Sequence, residues 1–120
     1  MDSRKVLVVE DDPSVATITG EMLRLLGYTP RIATSGASAC TLWREARGEF
    51  HLVIIDFVLA DSSGANLATI FTDEQPDLPC ILVSGFSEDN VDLPPGRVKY
   101  LAKPFTITQL RETIAALIPK

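Results

Sequence analysis

The sequence has few of the side chains that bind soft metals: its 120 residues include two cysteines, Cys40 and Cys80, and one histidine, His51. The cysteines stand far apart and in no metal-ligand spacing. They read as small core hydrophobes of a protein kept in a reducing compartment. Basic charge is also scarce. Eleven Lys and Arg against sixteen Asp and Glu leave a net charge of −5, without the clustered cations that a broad nucleic-acid surface needs. Long apolar runs are missing too. The first, at residues 6–9, is short of the roughly 7–15 residues of a signal-peptide core, and no stretch nears the ~18 of a membrane span. The expectation is a cytoplasmic domain that makes no nucleic-acid or membrane contact of its own. Repeats, low-complexity tracts and internal linkers are absent as well. Residues 1–120 therefore read as a single domain, long enough to build a core without metal or disulfide staples. Its ends lie close to the outermost predicted elements, as they would in a piece excised from a longer protein.

What is present is alternation. Short apolar runs occur at Val6-Leu7-Val8-Val9, Leu52-Val53-Ile54-Ile55 and Cys80-Ile81-Leu82-Val83. Rich in branched residues and apolar at every position, they suit parallel strands covered on both faces. Residues 28–33 and 98–102 are weaker strand candidates. Helical stretches lie between. Asp12-Pro13 opens the first, an acid cap followed by proline at the first helical position. That helix carries Val15, Ile18, Met22, Leu25 and Leu26 on one apolar side and ends at Gly27. A second runs from near Ser35 to Arg47, with Leu42, Trp43 and Ala46, and Gly48 closes it. A third begins near Gly64 or Ala65 and stops before Pro76. The last, capped by Thr106, buries Ile107, Leu110, Ile114 and Leu117. Residues 87–96 should hold a fourth helix, but Pro94-Pro95-Gly96 and weak apolar periodicity leave one short turn or none. Strand and helix in strict alternation imply an α/β fold: a parallel sheet, right-handed crossovers and helices on both faces.

Open sheets of this kind bind ligands beyond the carboxyl ends of their strands. The first strand ends in Glu10-Asp11-Asp12, the third in Asp56, the fourth in Ser84-Gly85, and the fifth is followed by Lys103-Pro104-Phe105. Asp12 is accounted for as a helix cap; Glu10 and Asp11 are not. If strands one and three are neighbours, Glu10, Asp11 and Asp56 share one pocket. At ~5 Å and an effective dielectric of about 20, two carboxylates repel by roughly 3 kcal/mol. Lys103 offers one positive charge to three acids, so the remainder calls for protonation or a cation. The available ligands are all oxygens, which selects a hard ion such as Mg²⁺. A thiolate or imidazole site is excluded, because His51 is the sole histidine and no cysteine falls on this edge.

Taken together, Val-Val-Glu-Asp-Asp-Pro at 8–13, Ile-Ile-Asp at 54–56, Gly64, Val-Ser-Gly at 83–85 and Lys-Pro-Phe at 103–105 give the chain a resemblance, over nearly its whole length, to the receiver domain of two-component response regulators. The resemblance implies a flavodoxin-like (βα)5 doubly wound sheet in the order 2-1-3-4-5. It implies that Asp56 is phosphorylated from a histidine kinase or a histidine phosphotransfer protein. Asp11, Asp56 and the backbone carbonyl of Val58 would ligate Mg²⁺ directly, with Glu10 acting through water. Ser84 would hydrogen-bond one phosphoryl oxygen and Lys103 would pair with another. Tyr100 stands where the family places an aromatic switch residue.

Some residues depart from the family pattern. Ala60 stands where proline is usual, so a looser loop is expected at 57–63. Val58 and Phe86 flank the phosphoryl position and are apolar where many members are polar, which implies slow self-hydrolysis. The broken fourth helix weakens a face often used for dimerisation, so the chain is more like receivers of hybrid sensor kinases, or stand-alone ones, than like those of dimeric transcription factors. The competing functions are a degenerate receiver that only binds partners and a phosphohydrolase with an aspartyl nucleophile. Nucleophile, acids and lysine are all retained, against the first. Val58 stands where such hydrolases typically carry a second acid, against the second. A flavin site is disfavoured, since the first turn offers acids where phosphate needs amides.

Overall fold

Chain order is β1 (Lys5–Val9), α1 (Pro13–Leu25), β2 (Thr29–Ala33), α2 (Gly36–Ala46), β3 (Phe50–Asp56), α3 (Gly64–Glu74), β4 (Cys80–Ser84), β5 (Val98–Ala102) and α4 (Ile107–Leu117). The structure, a computed structural model, describes residues 4–85 and 96–118. The expected short fourth helix at 87–96 lies almost wholly outside the described residues, as does Phe86. The five strands form one parallel sheet in the order β2-β1-β3-β4-β5.

Both faces of the sheet are covered, which is why the strands are apolar at successive positions. One face carries Leu7, Val9, Val53, Ile55 and Leu82 against Ala39, Trp43, Leu67 and Phe71 of α2 and α3. The other carries Val6, Val8, Ile54, Ile81 and Val83 against Leu23 of α1 and Leu110, Ile114 and Leu117 of α4. Each fully buried Val, Leu or Ile contributes roughly 1.5–3 kcal/mol. Trp43 stacks on Phe71 with ring centroids 4.4 Å apart, and its Nε1 donates to Glu74 Oε2 at 2.8 Å. This joins α2 to α3. Cys80 is buried and Cys40 half-buried, both free, and burial pushes the Cys80 thiol up to about 12.

The starts of α1 and α4 follow the caps read from the sequence, and the structure adds caps for α2 and α3. Asp12 Oδ1 accepts from the Ser14 and Val15 amides, and Pro13 is the first helical residue of α1. Ser35 and Thr106 each form a reciprocal capping box, and Ser63 caps α3. Gly27 and Gly48 take positive φ just past α1 and α2, where a side chain would be strained.

The buried stripe of α1 is not the large apolar one. Ala16, Thr19, Gly20 and Leu23 face the sheet, Val15, Met22 and Leu26 are half-buried, and Ile18 and Leu25 are 53% and 79% exposed. Both stripes satisfy helical spacing. The small residues let the helix lie close to the sheet, where Ile32 Cδ1 comes within 3.6 Å of a Cβ placed on Gly20. The larger side chains are turned toward the rim.

Candidate functional site

The carboxyl edge of the sheet gathers the acids. β1 runs into Glu10, whose amide donates to Ala33 O at 3.0 Å, extending the β1–β2 ladder by one residue. Glu10 is 5% exposed, Asp56 half-buried and Asp11 exposed. One carboxylate oxygen from each of Glu10, Asp11 and Asp56 lies within 4.8 Å of the others. Such crowding of hard oxygen donors suits a divalent cation of the Mg²⁺ type. β1 and β3 are neighbours with Val9 opposite Ile55, so the pocket assumed from the sequence exists.

Lys103 Nζ lies 2.6 Å from Glu10 Oε1 and 2.8 Å from Asp56 Oδ2. It therefore bridges two of the three acids, as one charge can. Burial is the main influence on Glu10 and raises its carboxyl above 4.5; the Lys103 hydrogen bond opposes this, and the nearness of Asp56 reinforces it. Burial alone would lower the Lys103 ammonium, but its bonds to Asp56 and Glu10 outweigh that and raise it.

The other oxygens are held by backbone. Glu10 Oε2 accepts from the Asp12 amide at 3.2 Å, Asp56 Oδ1 from Val58 at 3.2 Å, and Asp11 Oδ2 from Ala60 at 3.0 Å. The segment 57–63 is thus tied down where looseness was expected. Val58 bridges Ser63 across its neck. Asp61 reaches the N-terminus of α2, where the Gly36 and Ala37 amides donate at 2.8 and 3.1 Å and hold its carboxyl below the usual range. Gly64 closes the segment against β3: its amide donates to Phe57 O at 2.9 Å, and any Cβ there would strike the Asp56 carbonyl.

Ser84 is buried at the end of β4, one residue beyond Val83, the partner of Asp56. Its carbonyl accepts from the Lys103 amide at 2.8 Å and from the half-buried Tyr100 hydroxyl at 3.2 Å. The Val58 side chain is 56% exposed beside Asp56. His51 is exposed at the start of β3, away from this edge. Glu10, Asp11, Asp56, Val58, Ser84, Tyr100 and Lys103 thus fall on one rim or in its support, and Phe86 lies outside the described residues. The backbone donors, Ala60 above all, were missed, because an amide's partner has no signature in residue type.

The family model described as the response regulator receiver domain matches residues 6–115. Sensor kinase CckA of Brucella abortus (strain 2308) is 34% identical over 121 residues, covering 98% of this chain and 13% of the kinase. The DNA-binding transcriptional regulator NtrC of Rhizobium meliloti (strain 1021) is 33% identical over 114 residues, covering 92% of this chain and 23% of the regulator. The chain thus spans less than a quarter of the length of these relatives. Among solved structures, response regulator TrrA of Thermotoga maritima, in complex with Mg(2+)-BeF, superposes with a TM-score of 0.84 at 28% identity. That match covers 96% of this chain and 99% of the other.

Proposed function

The chain belongs to the response regulator receiver domain family of two-component signalling, and from that premise we propose that Asp56 accepts a phosphoryl group from the phosphohistidine of a histidine kinase or histidine phosphotransfer protein. The observation that carries this reading is the meeting of Glu10, Asp11 and Asp56 within 4.8 Å, with Lys103 bridging two of them. A receiver that only binds partners has no need of that crowding.

An Asp56 carboxylate oxygen attacks phosphorus in line with the P–N bond. The O–P bond forms as the P–N bond breaks, and the electron pair of the latter returns to the imidazole ring. The product is an acyl phosphate on Asp56. Glu10, Asp11, Asp56 and the Val58 carbonyl would hold Mg²⁺, and a relative crystallised with Mg(2+)-BeF supports that assignment. When bound, the ion masks carboxylate charge and offsets charge on the phosphoryl oxygens. Lys103 shifts from bridging acids to pairing with a phosphoryl oxygen, which keeps developing charge compensated in a half-buried site. Ser84 donates its hydroxyl to another oxygen. Tyr100, already bonded to the Ser84 carbonyl, reports the change to the β4–β5 face, giving a two-state switch. The half-exposed apolar rim of Val15, Ile18, Met22, Pro104 and Phe105 next to Lys103 suits a partner helix that presents the phosphohistidine. The reducing cytoplasm is the proposed place, in keeping with the free thiols.

Incubation with Mg²⁺ and a small acyl-phosphate donor, followed by intact-mass analysis, tests the reading. One phosphoryl adduct is expected on the parent chain and none on Asp56→Asn. An unlabelled parent, or a labelled variant, overturns it.

A further inference from the structure

Each acid of the pocket has one oxygen held by a backbone amide, but the three bonds differ in kind. Asp12 serves Glu10 and Val58 serves Asp56, each from two residues away. Asp11 is served by Ala60, 49 positions distant. Asp11 is also the exposed member of the three, so neither packing nor Lys103 restrains it. We propose that the backbone N–H of Ala60 is a positioning donor for the cation site: it fixes Oδ2 of Asp11 and so presents Oδ1 to the ion. This rests on the reading that the pocket binds Mg²⁺.

The donor is itself positioned. Asp61, the next residue, is anchored by the Gly36 and Ala37 amides of α2. Leu59, the residue before, donates to Ser62 O at 3.2 Å. Ala60 is therefore held on both sides, with its amide directed at Asp11. A ligand fixed in advance loses less side-chain freedom on binding, which raises affinity without adding a contact. A proline, usual at this place in the family, has no N–H and could not make the bond. The departure at position 60 thus replaces ring stiffness with a hydrogen bond directed at a metal ligand.

Calorimetric titration of the metal-free protein with Mg²⁺ separates this inference from the reading beneath it. A parent chain that binds no Mg²⁺ overturns the reading itself. With the parent binding, Ala60→Pro should bind roughly 3- to 10-fold more weakly, the worth of one ordinary hydrogen bond. Ala60→Ser, which keeps the N–H, should rescue affinity to near the parent value. Equal or tighter binding by Ala60→Pro overturns the proposal, and so does a loss in Ala60→Ser as large as that in Ala60→Pro. Should the proline variant fail to fold, hydrogen exchange in the metal-free state gives the answer. The Ala60 amide should be protected in the parent and exchange at least ~10-fold faster in Asp11→Ala; equal rates overturn it.

Discussion

The two edges of the sheet each hold a lysine–glutamate pair at nearly the same distance, with opposite consequences. At the strand starts, Lys5 Nζ lies 2.7 Å from Glu49 Oε2, with the two side chains 46% and 60% exposed. The Lys5 hydrogen bond and charge hold the Glu49 carboxyl below its ordinary value. At the strand ends, Lys103 Nζ lies 2.6 Å from Glu10 Oε1, yet burial lifts Glu10 above its ordinary value. Contact distance therefore does not decide the outcome. Desolvation does, aided by Asp56, which shares the same lysine. The strand-start pair is a solvated surface contact. The strand-end cluster is left short of positive charge, a condition that favours a divalent ion.

The sharpest way to break the contrast is to remove the shared cation. Lys103→Met should lower metal-free stability by about 1–3 kcal/mol, less than the ~3–5 of a fully buried pair because the lysine side chain is 24% exposed. Urea unfolding in chelator at neutral pH reads this. A variant as stable as the parent would mean that the acids do not depend on Lys103.

A smaller effect is expected from pH. A raised carboxyl binds its proton more tightly folded than unfolded. For Glu10, stability is therefore greatest below 4.5 and falls as pH climbs through the folded value. Glu49 has the opposite sign: its contribution is present above 4.5 and lost as pH falls through its lowered folded value. In metal-free protein, Glu10→Gln should remove the decline above 4.5, so the parent loses ground to the variant as pH rises. Parallel stability curves for the two would refute the assignment. The least effect belongs to Lys5→Met, for which neither Mg²⁺ affinity nor phosphoryl labelling should change. A change in either would mean that the two edges communicate.

Much of the fold was legible because its signals are local. Unbroken apolar runs marked the doubly covered strands, and Asp12-Pro13 and Thr106 behave as the caps they were read to be, since a cap needs only neighbours along the chain. The face of α1 was not legible. Its sequence carries two overlapping stripes, and apolar size favoured Ile18 and Leu25, while close approach to the sheet favoured Ala16 and Gly20. The site shows the same division. Its acids and lysine could be named from strand-end positions, but the tethers of segment 57–63 could not. There the loss of a proline suggested looseness, and Ala60 and Asp61 instead bond to Asp11 and α2.

By itself the sequence determined the kinds and order of the elements and which titratable groups would stand at the strand ends. Those follow from periodicity and capping, which act over a few residues. Only the tertiary structure decided how the charges are shared: that Lys103 spans Glu10 and Asp56, that Glu10 is raised while Glu49 is lowered, and that Ala60 serves Asp11. Such outcomes depend on distances between remote segments and on how much water remains around them, and both are set only when the sheet has assembled and its helices have closed over it.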